Sequence, residues 1–133
     1  MKISEFIIDE TRLKVGSEYI WLWIAIEPEN KEIIGLRISK ERNMFVAERF
    51  LSDIVEEYCS HPVSTDGGTW YPQACQFLKL NHHLHSTYEK SIIERTMQYI
   101  PFSLCVQTLP KIFLYILEIH SLSTYTKWYI KID

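Results

Sequence analysis

"FIIDETRLKVGSEYIWLWIAIEPENKEIIGLRIS", residues 6–39, decides the fold. Ile, Val, Tyr and Trp dominate residues 5–15 and 19–27, and Gly16-Ser17 between them supplies turn residues, so the two runs read as a β-hairpin. A polar turn with Pro28 and Asn30 follows, and residues 33–39 alternate well enough to continue the meander as a third strand. Three adjacent antiparallel strands result. The first of them carries an acid pair, Asp9-Glu10, directly after three apolar residues, and that placement asks for an explanation.

Working outward, the period changes in "NMFVAERFLSDIVEEYCS". Phe45, Val46, Phe50, Leu51, Ile54, Val55 and Tyr58 recur at three- and four-residue steps, with Asn43 as the N-cap, which predicts a helix. "HPVSTDGG" at 61–68 reads as a short strand ending in a glycine turn, and "WYPQACQFLKL" as a helix with Pro72 in its first turn. "NHHLH" is a further short strand. "STYEKSIIERTMQY" at 86–99 offers a second amphipathic helix, started by Ser86 or Thr87 with Glu89 or Lys90 three residues on, and apolar at Ile92, Ile93 and Met97. The order β-β-β-α-β-α-β-α describes an α/β domain: a mixed sheet flanked by helices. No repeat, low-complexity tract or linker divides it.

The 133 residues suit one domain, and 47% apolar with 14% aromatic residues is ample for its core. The net charge is −3 and the 14 Lys and Arg are scattered, so there is no basic stripe of the kind nucleic-acid binders carry. Cys59, Cys75 and Cys105 are odd in number and widely spaced, which fits free thiols in a reducing compartment, the cytoplasm by default. Acids appear too early for a signal peptide, and Lys111 and Glu118 interrupt the longest apolar run, which argues against secretion and membrane insertion.

In this order of elements Asp9 lies midway along the first strand, Asp66 at the end of the fourth and Glu94 in the last helix. If strands one and four are neighbours, the two aspartates come together, with carboxylates roughly 4–7 Å apart, and a helix over that edge presents Glu94 to both. Such a cluster holds two divalent ions that activate a nucleophilic water or hydroxyl and stabilise the leaving oxygen of a phosphodiester. Oxygen ligands suit Mg²⁺ or Mn²⁺. Against this stands an ordinary reading, in which three of 17 acids sit in a turn, on a strand and on a solvated helix face.

"FIIDET" at 6–11, "YIWLWIAIEPENKEIIGLRIS" at 19–39, "AERFL" at 47–51, "PVSTDGGTWYPQA" at 62–74 and "YEKSIIERTMQY" at 88–99 resemble the catalytic domain of bacterial and archaeal insertion-sequence transposases of the DDE type. The resemblance covers roughly residues 3–99. It implies a ribonuclease-H-like fold and the triad Asp9, Asp66 and Glu94 as metal ligands and catalytic acids. It also implies DNA, at transposon ends, as partner and substrate, with homo-oligomers as the working form. Glu89 competes with Glu94 as third acid, and at 3.6 residues per turn the two point about 140° apart, so both cannot face the ions. The I-x-E-R context favours Glu94.

Among the remaining residues, Glu10 belongs on the opposite strand face to Asp9, facing solvent or paired. Trp21 and Trp23 share one face as core, and Gly67 and Gly68 serve a turn that leaves room for a phosphate. Arg95 reads as an exposed helix arginine or a phosphate contact. His82, His83 and His85 form the densest histidine group; His83 and His85 share a strand face that suits zinc weakly, and His82 or His85 near the acids would contact DNA or a metal-bound water.

The resemblance ends near Ile100. Family members continue with a basic helix extension, whereas here Pro101 breaks the helix and "IPFSLCVQTLPKIFLYILEIHSLSTYTKWYIKID" follows, with the composition of an out-of-frame reading. The expected division is a catalytic domain over 1–100 and a divergent tail over 101–133, with the usual N-terminal DNA-binding module missing. Two other functions fit the same residues: a non-catalytic remnant or interaction protein, and a small ribonuclease-H-like nuclease.

Overall fold

The computed structural model describes residues 2–15, 17–98 and 130–132. Strand β1 (Phe6–Val15) turns into β2 (Glu18–Glu27), and β3 (Glu32–Ser39) completes the antiparallel meander. Ile7 faces Ile26 and Asp9 faces Ile24 across β1 and β2. Helix α1 (Met44–Tyr58) then crosses back to β4 (Val63–Thr65), which lies parallel to β1 with Phe6 beside Val63 and Ile7 beside Ser64. Helix α2 (Tyr71–Phe77), strand β5 (His82–Leu84), parallel to β4, and helix α3 (Thr87–Met97) follow. Strand β6 (Ile130–Ile132) pairs in parallel with β3, so the sheet order is β5-β4-β1-β2-β3-β6.

Strand alternation sorts the apolar residues onto two faces. Phe6, Ile8, Trp23, Ala25 and Val63 pack against Ala47, Phe50, Leu51 and Ile54 of α1 and Tyr71, Ala74 and Cys75 of α2. Ile7, Ile20, Leu22, Ile24, Ile26, Leu36 and Ile38 form the opposite face, covered by Ile92 and Ile93 of α3. The acid-bearing strand is therefore clamped by helices on both sides, which holds its backbone rigid. Two buried charged side chains are held by partners: Glu27 accepts from Asn30 N–H at 2.6 Å, and Arg37 donates to Asp53 at 2.6 Å.

The local signals agree with the architecture. Asn43 accepts from Val46 N–H at 3.0 Å, as an N-cap should, and Ser86 forms a capping box with Glu89. Trp23 is fully buried and donates from Nε1 to Ser39 at 2.8 Å, whereas Trp21, on the same face, is only half-buried at the rim. Helix α3 ends at Met97, two residues before the expected limit, with Gln98 as C-cap. Apart from β6, the tail and the break expected at Pro101 lie outside the described residues.

Candidate metal centre

Because Ile7 sits beside Ser64 in a parallel pair, the residues two positions on, Asp9 and Asp66, reach the carboxyl end of β4 together. There Asp9, Glu10 and Asp66 each place a carboxylate oxygen within 4.8 Å of the others. The expected meeting of Asp9 and Asp66 is thus present. Glu10 is the departure: it belongs to the α2 face of the strand, yet its carboxylate joins the pair. Strand β4 stops at Thr65, so no paired residue stands beside Asp9 and Glu10 on that edge, and side chains from both faces meet around it. Glu10 is also held, since Tyr71 Oη donates to its Oε2 at 2.9 Å.

The electrostatics are those of buried carboxylates, with like charge nearby as a smaller effect. Burial pushes Asp9 up to about 6, with the Asp66 charge adding to it and a hydrogen bond from the Glu10 backbone opposing it. Burial likewise raises Glu10 to about 7, with Asp9 and Asp66 adding to the rise and Tyr71 and Arg42 opposing it. An all-oxygen donor set of this kind fits Mg²⁺ or Mn²⁺, and a cation held there would favour the ionised form of every acid in it.

The turn after Asp66 is shaped by neighbours. Gly67 has φ +86°, and a Cβ there would lie 2.8 Å from Leu84 Cδ2; one on Gly68 would lie 2.6 Å from the Trp70 ring. The missing side chains at these glycines make room for Leu84 and Trp70. Gly68→Ala is expected to cost about 1–3 kcal/mol, as overpacking does, because the indole must move. A denaturant melt measures it, and an unchanged midpoint would show that Trp70 yields freely.

Glu94 lies exposed on α3, next to the buried Ile92 and Ile93, and is not among the acids that meet within 4.8 Å. Glu89 is occupied elsewhere. Its Oε1 accepts from Ser86 N–H at 2.7 Å, its Oε2 lies 3.2 Å from His83 Nε2, and His83 in turn lies 3.3 Å from Glu5. Burial together with a hydrogen bond to Glu89 raises Glu5 to about 8; burial also acts upward on Glu89, but hydrogen bonds from Glu5, Ser86 and His83 outweigh it and hold Glu89 at about 2. A carboxyl raised in the fold binds its proton more tightly than in the unfolded chain, so this group's contribution to stability is lost as pH rises from about 4.5 towards 8. Glu5→Gln is expected to flatten the fall in melting temperature over that range. A variant that still tracks the wild-type slope would place the effect in other groups.

The histidines divide between roles. His82 Nε2 bonds Thr65 Oγ1 at 2.6 Å, and His85 Nδ1 pairs with Ser64 Oγ, so both brace the strand that delivers Asp66. The pairing of His83 with His85 for zinc is replaced by His83 with Glu5 and Glu89. Cys59 and Cys75 are free thiols.

A family model described as a DDE domain, of IS240-type transposases, matches residues 4–102. The chain belongs to the DDE transposase family. A 75-residue stretch of the chain is 45% identical to the uncharacterized protein MJ0017 of Methanocaldococcus jannaschii, and covers 55% of the chain and 35% of that protein. The chain therefore spans about a third of that relative's length. The fold is that of retroviral integrase catalytic cores. The HTLV-2 integrase catalytic core domain in complex with magnesium superposes with a TM-score of 0.61 at 14% identity, over 75% of this chain and 68% of that one. The BIV integrase catalytic core gives 0.60 at 12% identity, over 92% and 100%. A chain of the simian T-cell lymphotropic virus intasome in complex with PP2A regulatory subunit B56 gamma gives 0.67 at 16% identity, over 96% and 51%. The DDE domain is thus a ribonuclease-H-like sheet of mixed strands, and among its described residues no helix is long and apolar enough to cross a membrane.

Sequence reasoning missed two partners of this centre. Tyr71 lies far from Glu10 in the chain, and only its place at the first turn of α2, beside the buried Trp23, aims the hydroxyl at the acids. The other is Arg42.

Proposed function

We propose that this DDE domain cuts DNA by water attack and joins it by attack of a 3′-hydroxyl at transposon ends, using Mg²⁺ or Mn²⁺ held by Asp9, Asp66 and Glu94. The observation that carries the reading is the meeting of the Asp9 and Asp66 carboxylates within 4.8 Å, where β4 ends beside the middle of the parallel strand β1, in a member of the DDE family. The magnesium complex of the related integrase core supports the choice of ion.

The bound ion would supply charge at the scissile phosphate, lowering the pKa of the attacking water or hydroxyl and stabilising the leaving oxygen. The chain supplies placement. Asp9 rides on a strand packed on both faces, and Asp66 leaves a strand braced by His82 and His85, so neither carboxylate has far to move. Tyr71 donates to Glu10 and so fixes the carboxylate that stands beside the two aspartates. Glu94 is the third ligand by family position, and the capping box that occupies Glu89 supports that choice.

The proposal extends to residues 1–100 as the chemical unit, acting on cytoplasmic DNA as part of a homo-oligomer. The test is nicking of an end-labelled DNA duplex with Mn²⁺. Metal-dependent product is expected from the wild-type chain, and a folded chain that neither nicks DNA nor is stabilised by Mn²⁺ would favour a non-catalytic remnant. A preference for RNA–DNA hybrids over DNA ends would instead favour a small nuclease.

A further inference from the structure

Arg42 stands between β3 and α1, immediately before the cap residue Asn43. Its guanidinium carbon lies 3.9 Å from the centre of the Trp21 ring and 4.2 Å from that of Trp70, so the group is gripped by two indoles. Trp70 belongs to the segment that leaves Asp66, and it packs on Tyr71 with ring centres 5.9 Å apart. Tyr71 is the residue that donates to Glu10. A continuous wall therefore joins Arg42 to the acid cluster, and its charge reaches Glu10 across it.

The two indoles, at these distances, restrain the guanidinium. Arg42 is exposed, and among the described residues no carboxylate or carbonyl takes its donors. The contrast with Arg37 is plain, since that arginine is buried and spent on Asp53. An arginine pre-set by aromatic faces loses little freedom when its fork binds a phosphate, and lysine cannot reproduce that geometry. The acids beside it would repel a DNA strand in the absence of compensating charge, and a fixed cation at their margin offsets that repulsion where the strand must enter.

We propose that Arg42, clamped between Trp21 and Trp70, binds a backbone phosphate of the DNA strand next to the one cleaved. The inference rests on the DNA reading of the acid centre and deepens it by naming the residue that sets the position of the strand. Arg42 is a positioning residue: it fixes where the strand lies and leaves the bond chemistry to the acids. Gly68 belongs to the same device, because only a residue without Cβ lets the Trp70 ring close over that turn.

The experiment measures anisotropy of a fluorescein-labelled DNA duplex with a recessed end, titrated with the full chain at several salt concentrations. Arg42→Ala is expected to weaken binding about tenfold and to lower the slope of log K against log salt by about 1, the loss of one phosphate contact. Arg42→Lys keeps most of the slope but loses several-fold in affinity, because the ammonium does not stack as a plane. In nicking assays the Ala variant raises KM with little change in kcat. Thermal melts of each variant, with Arg42→Lys as the mildest change, separate these effects from unfolding. Wild-type affinity and slope in a folded Arg42→Ala chain, alongside a wild type that binds and nicks DNA, would overturn the role of Arg42 alone. A wild type that neither binds nor nicks would overturn the DNA reading and this inference with it.

Discussion

Asp9→Asn and Asp66→Asn are each expected to lower DNA nicking by about a thousandfold or more, while leaving the metal-free fold as stable as the wild type or more so. The kinetic size follows from the several kcal/mol that a held divalent ion contributes at a phosphoryl centre, at about 1.4 kcal/mol per tenfold. The stability effect has the opposite sign because the Asp9 charge is buried and stands beside that of Asp66. Asp9 is raised from its ordinary 3.8 to about 6, so the native state binds that proton more tightly than the unfolded state does. Its contribution to stability is present below about 3.8 and lost as pH rises through about 6. The Asn variant should therefore melt above the wild type at pH 8, with the gap closing in acid. Mn²⁺ should reverse the order, raising the wild-type melting temperature and leaving the variants unmoved. Equal Mn²⁺ shifts in all three proteins would sink the assignment of Asp9 and Asp66 as ligands, whatever the activity did.

The second large effect separates two acids on one helix. Glu94→Gln should reduce nicking by a factor similar to that of the aspartate variants, with an unchanged melt, since Glu94 is exposed. Glu89→Gln should do the reverse. It retains the reach of the capping side chain but loses the charge that accepts from Ser86 and His83, at a cost of about 1 kcal/mol, and nicking should stay within a few-fold of wild type. Glu10→Gln should also stay within about tenfold, because Tyr71 already holds that carboxylate. Full activity in Glu94→Gln together with a dead Glu10→Gln would exchange their roles, making the acid that meets Asp9 and Asp66 directly the third ligand.

Most of the architecture is legible in local pattern. The alternation of "FIIDET" and "YIWLWIAIE" sets which residues go to which sheet face, and the helical steps from Phe45 to Tyr58 set the side that α1 buries. Asn43 and the Ser86–Glu89 box mark helix starts in the sequence and act as caps in the structure. The pairing of Asp9 with Asp66 was readable only once β1 and β4 were taken as neighbours, and the family words supplied that adjacency. Periodicity has no information about it.

By itself, then, the sequence determined the strands, the helices and their faces, because these depend on neighbours within a turn or a pleat. Tertiary structure alone decided what surrounds the acids. Glu10 joins them because β4 ends at Thr65 and leaves the edge of β1 open, an event of strand length with no local sign at Glu10. Glu89 is withdrawn because β5 and the start of β1 bring His83 and Glu5 to it. Arg42 is gripped only because Trp21 from β2 and Trp70 from the cap of α2 both arrive at it. Each is a contact between segments far apart in the chain, and whether such segments meet depends on sheet order and strand ends, which local periodicity does not encode.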